Sequence, residues 1–282
     1  MACELPATRG LPLSRFSCSE IAREVERGGL VATISDKTVW RWLQEDAICP
    51  WQHRCWIFPR APDCAVKAGR ILDLYARHWD GKPLGRNDFV ISTDEKTSIQ
   101  ARRRIHPTLS PRPGQPMRVE HEYERGGALA YLAAMDVHRV KLFGRCEKST
   151  GIAPFENLLT HVMSQPPYNT ARRVFWIMDN GSSHRGTSCV RRMQAAFPTV
   201  VPVHGPVHAS WLNQIEIYFS IIQRKVLTPN DFSSLTEVED RLLRFQEHYE
   251  PIAQPFEWKF TRADLKALLQ RLGETESLRK AA

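Results

Sequence analysis

The N-terminal part of the chain, about its first sixty residues, combines apolar and polar positions with the period of short helices. The pattern predicts helices at residues 19–27 and 36–45, separated by a turn that contains Gly28 and Gly29. Ser35 precedes the second helix and is suited to capping its first turn. The stripe predicted to point inward from that helix consists of Val39, Trp42 and Leu43.

The outward face of the second predicted helix carries Lys37, Thr38 and Arg41. Two short helices joined by a glycine-containing turn, the second with basic outward positions, are typical of a helix-turn-helix that contacts DNA. A small helical hairpin without any DNA-binding role has the same pattern. The sequence therefore predicts a DNA-binding segment here and leaves the plain hairpin as an alternative.

From residue 88 onward, the pattern changes to strands that alternate with helices. The predicted strands are 89–92, 127–137, 140–146, 173–178 and 199–203. The predicted helices are 65–79, 154–163, 187–196, 211–227 and one that begins at Ser234. Early strands followed by alternating helices and strands indicate an α/β fold, with a mixed sheet flanked by helices.

These changes of pattern divide the chain into four predicted parts. They are a helix-turn-helix DNA-binding segment at 1–62, a helical linker at 63–87, a catalytic domain at 88–272 and a C-terminal tail at 273–282.

The composition excludes several classes of protein. With 42% hydrophobic residues among 282, the chain can form a sizeable core. Apolar runs such as 128–137 reach about ten residues, well short of the roughly 20 that a membrane helix needs. The N-terminus lacks the features of a secretion signal, and seven cysteines without a CxxC pair argue against a disulfide framework. A soluble, intracellular chain is expected, and its net charge of +8 suits a polyanionic partner without establishing one.

Three carboxylates stand at unusual positions. Asp94 comes two residues after a predicted strand, and Asp179 directly follows another. Aspartates after sheet strands occur at active sites of α/β folds, and they are also common in turns. Glu216 lies in a predicted helix with mostly apolar neighbours, where a carboxylate is costly unless a cation meets it. The cation is either a basic side chain or a divalent metal such as Mg²⁺ or Mn²⁺, which favours hard oxygen ligands.

The blocks that contain these acids carry a resemblance. They are residues 91–97 (ISTDEKT), 178–186 (MDNGSSHRG) and 210–216 (SWLNQIE), with 36 residues between Asp179 and Glu216. In order and spacing they resemble the acidic blocks of bacterial insertion-sequence transposases of the DDE superfamily, in the branch related to the Tc/mariner elements. The similarity extends from about residue 15 to residue 272.

The resemblance implies an RNase H-like catalytic core in which Asp94, Asp179 and Glu216 are the catalytic residues and bind two Mg²⁺ or Mn²⁺ ions. It implies cleavage at the inverted-repeat ends of a mobile element and strand transfer into target DNA at TA sites. The expected partners are double-stranded DNA, both repeats and target, and a second copy of the chain on that DNA, with no membrane involved. The expected location is the bacterial cytoplasm, in association with the nucleoid.

Several further residues are candidates for supporting roles. Contacts to phosphate or to a metal-bound water are possible roles for Asn180, His184 and His208, and turn or packing roles are the alternative. Neutralisation of DNA phosphates is expected of Arg102, Arg103 and Arg104, with a solvated basic strand as the alternative.

The chain departs from such transposases at its start. They typically carry two helix-turn-helix modules before the core, whereas this sequence begins close to the second, so a short or truncated first module is expected. The main alternative function is a catalytically silent DNA-binding repressor, or a domesticated or decayed copy. A non-transposing nuclease on the same fold is a third.

Overall fold

The computed structural model describes residues 1–52, 63–181 and 186–281, with side chains through residue 272. The chain folds into two compact units, Met1–Ile57 and Phe58–Ala282. None of the helices in the described ranges is both long enough and apolar enough to span a bilayer.

The first unit contains the two predicted helices, α1 (Cys18–Arg27) and α2 (Asp36–Glu45). Ser17 and Glu20 form a capping box at α1, and the Ser35 side chain accepts a hydrogen bond from the amide of Thr38 at α2. The small core is made of Phe16, Ile21, Ala22, Val39 and Leu43.

One prediction for this unit is wrong, because Trp42 is 50% exposed rather than inward. Helix α1 covers only the narrow face of α2 that carries Val39 and Leu43, so the third position of the predicted stripe is left outside. Lys37 and Arg41 are exposed as predicted, whereas Thr38 is half-buried, with its hydroxyl 2.9 Å from that of Ser35.

A five-stranded mixed sheet forms the centre of the second unit. Its strands are β3 (Asp88–Arg104), β4 (Tyr123–Asp136), β5 (Leu142–Glu147), β6 (Arg173–Met178) and β7 (Val200–His204), and their order across the sheet is β5-β4-β3-β6-β7. Strands β3, β4 and β5 are antiparallel neighbours, whereas β3, β6 and β7 run parallel. The predicted mixed α/β fold is confirmed.

Strand β3 is much longer than the predicted 89–92. It continues through residues 95–104, which are polar except for Ile99 and Ala101, because β4 pairs with it as far as Arg104↔Tyr123, with irregularities between Lys96 and Ile99 and between Gln100 and Arg102. Asp94 therefore lies within a strand, not after one.

Helices cover both faces of the sheet. Helices α4 (Ile152–Met163) and α5 (Gly186–Ala196) pack on the face that carries Trp176. The opposite face is covered by α3 (Cys64–Tyr75), α6 (Ile215–Lys225) and α7 (Leu235–Tyr249). Helix α8 (Arg262–Ala281) packs against α3 and runs through most of the segment predicted to be a tail.

Two predicted helices end or begin elsewhere. Helix α3 ends at Tyr75, and a small hairpin of β1 (His78–Trp79) and β2 (Lys82–Pro83) replaces the last predicted turn. The predicted helix 211–227 is a short 3₁₀ turn, Ser210–Leu212, followed by α6 from Ile215.

The start of β3 is held by a buried carboxylate. Asp88, whose side chain is fully buried, accepts hydrogen bonds from Arg172 Nη2 at 2.6 Å, Arg173 Nη2 at 3.0 Å and the Gly85 amide at 2.9 Å. Burial alone would raise its pKa, but the two guanidinium groups outweigh that effect and hold the pKa of Asp88 well below its usual range.

Candidate active site

The parallel register of β3 and β6 brings two of the predicted acids to the same level. Ser92 is the register partner of Ile177, so two further steps along both strands set Asp94 beside Asp179, which directly follows β6. Neighbouring strands lie about 4.8 Å apart, so the two backbones are adjacent at this edge of the sheet. The prediction that the two aspartates meet at the ends of neighbouring strands therefore fits the sheet topology, although β3 itself continues.

Helix α6 brings the third acid to the same face of the sheet. It packs against β3 and β4 through buried residues such as Ile215 and Phe219, and it carries Glu216 in its first turn. Glu216 is half-buried. Within the described part of the chain, no lysine or arginine forms an ion pair with Glu216, although the charge of Lys96 acts on it. A basic side chain that closes off the glutamate was the alternative to a metal, and it is not found among these residues.

The charges of the three acids act on one another. Burial raises the pKa of Asp94 to about 7, with further upward contributions from the negative charges of Asp179 and Glu216. Burial also raises the pKa of Glu216, where the Asp179 charge adds to the effect and the Lys96 charge opposes it. Each pair among the three acids is therefore close enough for repulsion, and positive charge at this place would relieve it.

Hydrogen bonds hold both oxygens of the Asp94 carboxylate, which is 9% exposed. Oδ1 accepts from the backbone amide of Glu95 at 2.8 Å, and Oδ2 accepts from Nδ2 of Asn213 at 3.3 Å. On the second aspartate, Oδ1 of Asp179 accepts from the amide of Gly181 at 2.7 Å. The first two acids are thus oriented by donors from their surroundings.

The fit to a divalent ion rests on the chemistry of these donors. Carboxylate oxygens are the ligands that Mg²⁺ and Mn²⁺ prefer, and mutual repulsion of the acids favours a bound cation. Among residues 1–52, 63–181 and 186–281, no three His, Cys, Asp or Glu side chains form a group that could already hold a metal ion. Mg²⁺ commonly uses one or two carboxylates together with water and substrate phosphate, so the donors present fit an open site. The site with three carboxylate ligands stays a prediction.

The predicted supporting residues divide into three cases. Asn180 donates a hydrogen bond from Nδ2 to the carbonyl of Gly205 at 2.7 Å and so ties the end of β6 to the end of β7. His208 is exposed and has a φ of 60°, in the loop before the 3₁₀ turn. His184 lies outside the described residues.

The three predicted DNA-binding arginines on β3 have different surroundings. Arg102 lines a groove of about 530 Å³ that also includes Lys96, and its Nε atom is buried without a hydrogen-bond partner among the described residues. Arg104 lines the groove too, but it donates to three backbone carbonyls, those of residues 120, 121 and 230. Arg103 is exposed and forms an ion pair with Glu124.

The sequence did not reveal which polar residues surround the acids and bind the first turn of α6. They are Tyr75, Ser92, Lys96 and Asn213. The available signal was the polar pair Asn213-Gln214 within a mostly apolar segment, both of which are almost fully buried. Buried polar side chains need hydrogen-bond partners, so their presence indicates a network.

A model of a known protein family matches residues 90–239, which contain all three acids. The family is described as the DDE superfamily endonucleases. The chain belongs to this family. The match begins within β3 and ends in α7, so it spans the whole sheet and the helix that carries Glu216.

Solved structures confirm the fold of this DDE superfamily endonuclease. A crystal structure of the Mos1 mariner paired-end complex with manganese aligns with 97% of this chain and 77% of that chain, at 17% identity and a TM-score of 0.55. A crystal structure of the Mos1 strand transfer complex aligns with 92% and 72%, at 14% identity and a TM-score of 0.51. A Mos1 paired-end complex with magnesium gives 92% and 73%, at 16% identity and 0.53. No curated protein matches the sequence.

Proposed function

We propose that the chain is the transposase of a mobile DNA element, which cleaves DNA at the inverted-repeat ends of the element and transfers the freed strand into target DNA. In this proposal, Asp94, Asp179 and Glu216 are the catalytic residues. The double-stranded DNA is both the substrate and the scaffold on which two copies of the chain assemble. Insertion at TA sites is part of the proposal and rests on the resemblance to the Tc/mariner branch.

The observation that supports the proposal is that three acids distant in the sequence act on one another's pKa, in a chain of an endonuclease family. Burial and like-charged neighbours raise the pKa of Asp94 to about 7, and perturbed carboxylates of this kind cluster at catalytic sites, which favours an enzyme over a protein that only binds DNA. The Mos1 structures with the same fold are paired-end and strand transfer complexes, which supports DNA as the partner.

Two Mg²⁺ or Mn²⁺ ions are proposed as cofactors, held by the three acids. When bound, such ions supply positive charge to a phosphate that is being attacked and lower the pKa of a water nucleophile. The chain's own contribution is orientation: the Glu95 amide and the Asn213 side chain direct the two oxygens of Asp94, and the Gly181 amide directs Asp179. Lys96 lies near Glu216 and the groove, where its ammonium group suits a phosphate oxygen.

The proposed DNA contacts lie in both units. In the first, they involve the exposed Lys37 and Arg41 of α2 together with the half-buried Thr38. In the second, the groove lined by Lys96 also offers Arg102, a half-buried cation whose guanidinium group lies over the ring of Tyr123. Arg104 is proposed to shape the groove rather than contact DNA, because its guanidinium group already binds backbone carbonyls.

The test is Mg²⁺-dependent nicking of a labelled duplex that carries the terminal repeat found next to the gene. We expect the full-length wild-type chain to nick the duplex, and Asp94→Asn to bind it equally well without nicking. A loss of about 100-fold or more in rate is expected for removal of an acid that holds the metal. Binding without cleavage by the wild type would instead indicate the catalytically silent repressor. Cleavage retained in Asp94→Asn would refute the assignment of the acids.

A further inference from the structure

A buried amide joins the strand of Asp94 to the helix of Glu216. Asn213 is 5% exposed, although asparagine is mostly found at protein surfaces. Its Nδ2 donates to the backbone carbonyl of Thr93 at 2.8 Å and to Oδ2 of Asp94 at 3.3 Å. The two N–H bonds of one amide group are thus directed at two neighbouring residues of β3.

The other end of the same side chain reaches the start of α6. Oδ1 of Asn213 accepts a hydrogen bond from the hydroxyl of Ser92, and that hydroxyl accepts one from the amide of Ile215 at 2.9 Å. The backbone carbonyl of Asn213 accepts from the amide of Glu216 at 3.1 Å. The amides in the first turn of a helix need partners from outside the helix's own hydrogen-bond ladder. In α6, Ser92 binds the amide of Ile215, and Asn213 binds the amide of Glu216.

We propose that Asn213 is a positioning residue for metal-dependent cleavage: its side-chain amide orients the Asp94 carboxylate and fixes the first turn of the Glu216 helix relative to β3. This inference rests on the proposed function of the three acids. Asparagine suits the place because the site requires two donors and one acceptor in a single small planar group. Leucine would offer none of these, and an ionised aspartate would present a negative charge to Asp94.

The network ties the geometry of two acids to one another. Glu216 follows Asn213 by three residues. A shift of the Asn213 side chain would therefore move both the start of α6, which carries Glu216, and the donor that binds Asp94. Tyr75 adds a second attachment, because its hydroxyl donates to the carbonyl of Leu212 at 2.6 Å and accepts from the amide of Gln214 at 3.2 Å. Asn213 acts through Asp94 and α6 and is not proposed to contact the reacting phosphate or the attacking water.

The experiment compares Asn213→Ala with a control that removes a buried hydrogen bond from the opposite face of the sheet. Tyr168 donates from its hydroxyl to Oδ2 of Asp136 at 3.0 Å among the residues packed by α4, so Tyr168→Phe is a matched control. The first readout is Mn²⁺ affinity of the full-length chain without DNA, from the electron paramagnetic resonance signal of free Mn²⁺. The second is the Mn²⁺ concentration at half-maximal nicking, and thermal unfolding is measured for every variant.

Loss of a hydrogen bond that orients a metal ligand typically weakens metal affinity by about 10–100-fold. We expect Asn213→Ala to weaken Mn²⁺ binding by about tenfold and to shift the nicking midpoint to the same extent. Tyr168→Phe is expected to lower thermal stability while leaving both metal readouts at the wild-type value. An Asn213→Ala chain that is folded and has wild-type Mn²⁺ affinity would overturn the inference.

Ser92→Ala serves if Asn213→Ala does not fold. It removes the hydroxyl between Oδ1 of Asn213 and the α6 amide but leaves the donors to Asp94, so a smaller weakening in the same direction is expected. Unchanged Mn²⁺ affinity and nicking in a folded Ser92→Ala chain would then count against the inference. Equal Mn²⁺ binding by wild type and Asp94→Asn would refute the proposed metal site itself, which separates the two failures.

Discussion

The two neighbouring residues Arg102 and Arg103 offer a sharp test of how the groove is used. They carry the same charge and follow one another on β3, yet Arg102 lines the groove beside Lys96, whereas Arg103 pairs with Glu124. If the groove holds DNA, Arg102→Ala should weaken binding and Arg103→Ala should not. Both variants remove one positive charge, so any difference between them reports the different surroundings of the two side chains and not the net charge.

The size of the effect follows from counterion release. One phosphate contact changes the slope of log K against log [salt] by about 0.9. When the change in slope is extrapolated from about 1 M to about 0.15 M salt, the loss of one contact lowers the affinity of Arg102→Ala for DNA about fivefold. Arg102 follows Asp94 by eight residues, or roughly 25 Å along an extended strand, which exceeds the screening length of about 8 Å at this salt. The rate of nicking at saturating protein should therefore stay at the wild-type value.

The assay is fluorescence anisotropy of a labelled terminal-repeat duplex between 50 mM and 300 mM salt, with single-turnover nicking at saturation. This range of salt concentration is chosen because counterion release dominates the salt dependence of binding there. Equal slopes for the two variants would refute the groove as a DNA site. A drop in the saturated nicking rate for Arg102→Ala would contradict the separation in space from Asp94.

The remaining predictions concern stability. Asp88→Asn removes the buried anion between two guanidinium groups and should cost about 2–3 kcal/mol in urea unfolding at pH 7. The folded state holds the pKa of Asp88 low, so the ionised carboxylate contributes its full stabilisation above the unfolded pKa of about 4 and loses it as the pH falls below that value. The difference in free energy of unfolding between wild type and Asp88→Asn should therefore narrow at low pH. A difference that stays constant with pH would contradict this. Gly144→Ala would drive a Cβ into the hydroxyl oxygen of Tyr131 and should cost at least about 1–3 kcal/mol, whereas Gly85→Ala meets only an ordinary contact at 3.5 Å and serves as the control in thermal unfolding. Ser17→Ala removes the cap of α1 and should lower the helicity of the first unit, at a cost of about 1 kcal/mol in unfolding of that unit followed by circular dichroism.

The sequence pattern predicted most elements of the sheet and its helices because their apolar positions have clear periods. Strand β6 has the predicted bounds, 173–178, since all but one of its residues are buried and it is flanked by polar turns. The second half of β3 could not be predicted, because residues 95–104 are mostly polar and become a strand through pairing with β4. Pairing between distant segments is a tertiary effect that a local window does not contain.

Prediction of the site had a similar limit. The three acids were proposed from their unusual positions, since an aspartate near the end of a predicted strand and a glutamate among apolar residues both stand out. To predict that Asp94 and Asp179 lie at the same level of the sheet, one needs the register between β3 and β6. That register runs from the partners Asp88↔Arg173 to Ser92↔Ile177. The amide pair Asn213-Gln214 stood out as polar within an apolar segment, but the role of Asn213 was missed because its partners on β3 lie about 120 positions away.

The register between β3 and β6 also decides which kinds of mutation the two aspartates can survive. Their common level is specified by main-chain hydrogen bonds, so exchanges among apolar side chains along either strand leave it intact. A single-codon deletion inside 173–178 would rotate every later residue of that strand to the other side of the sheet and displace Asp179 by one step. In the evolution of this enzyme, β6 should therefore accept exchanges between apolar side chains of similar volume more readily than any change in its length.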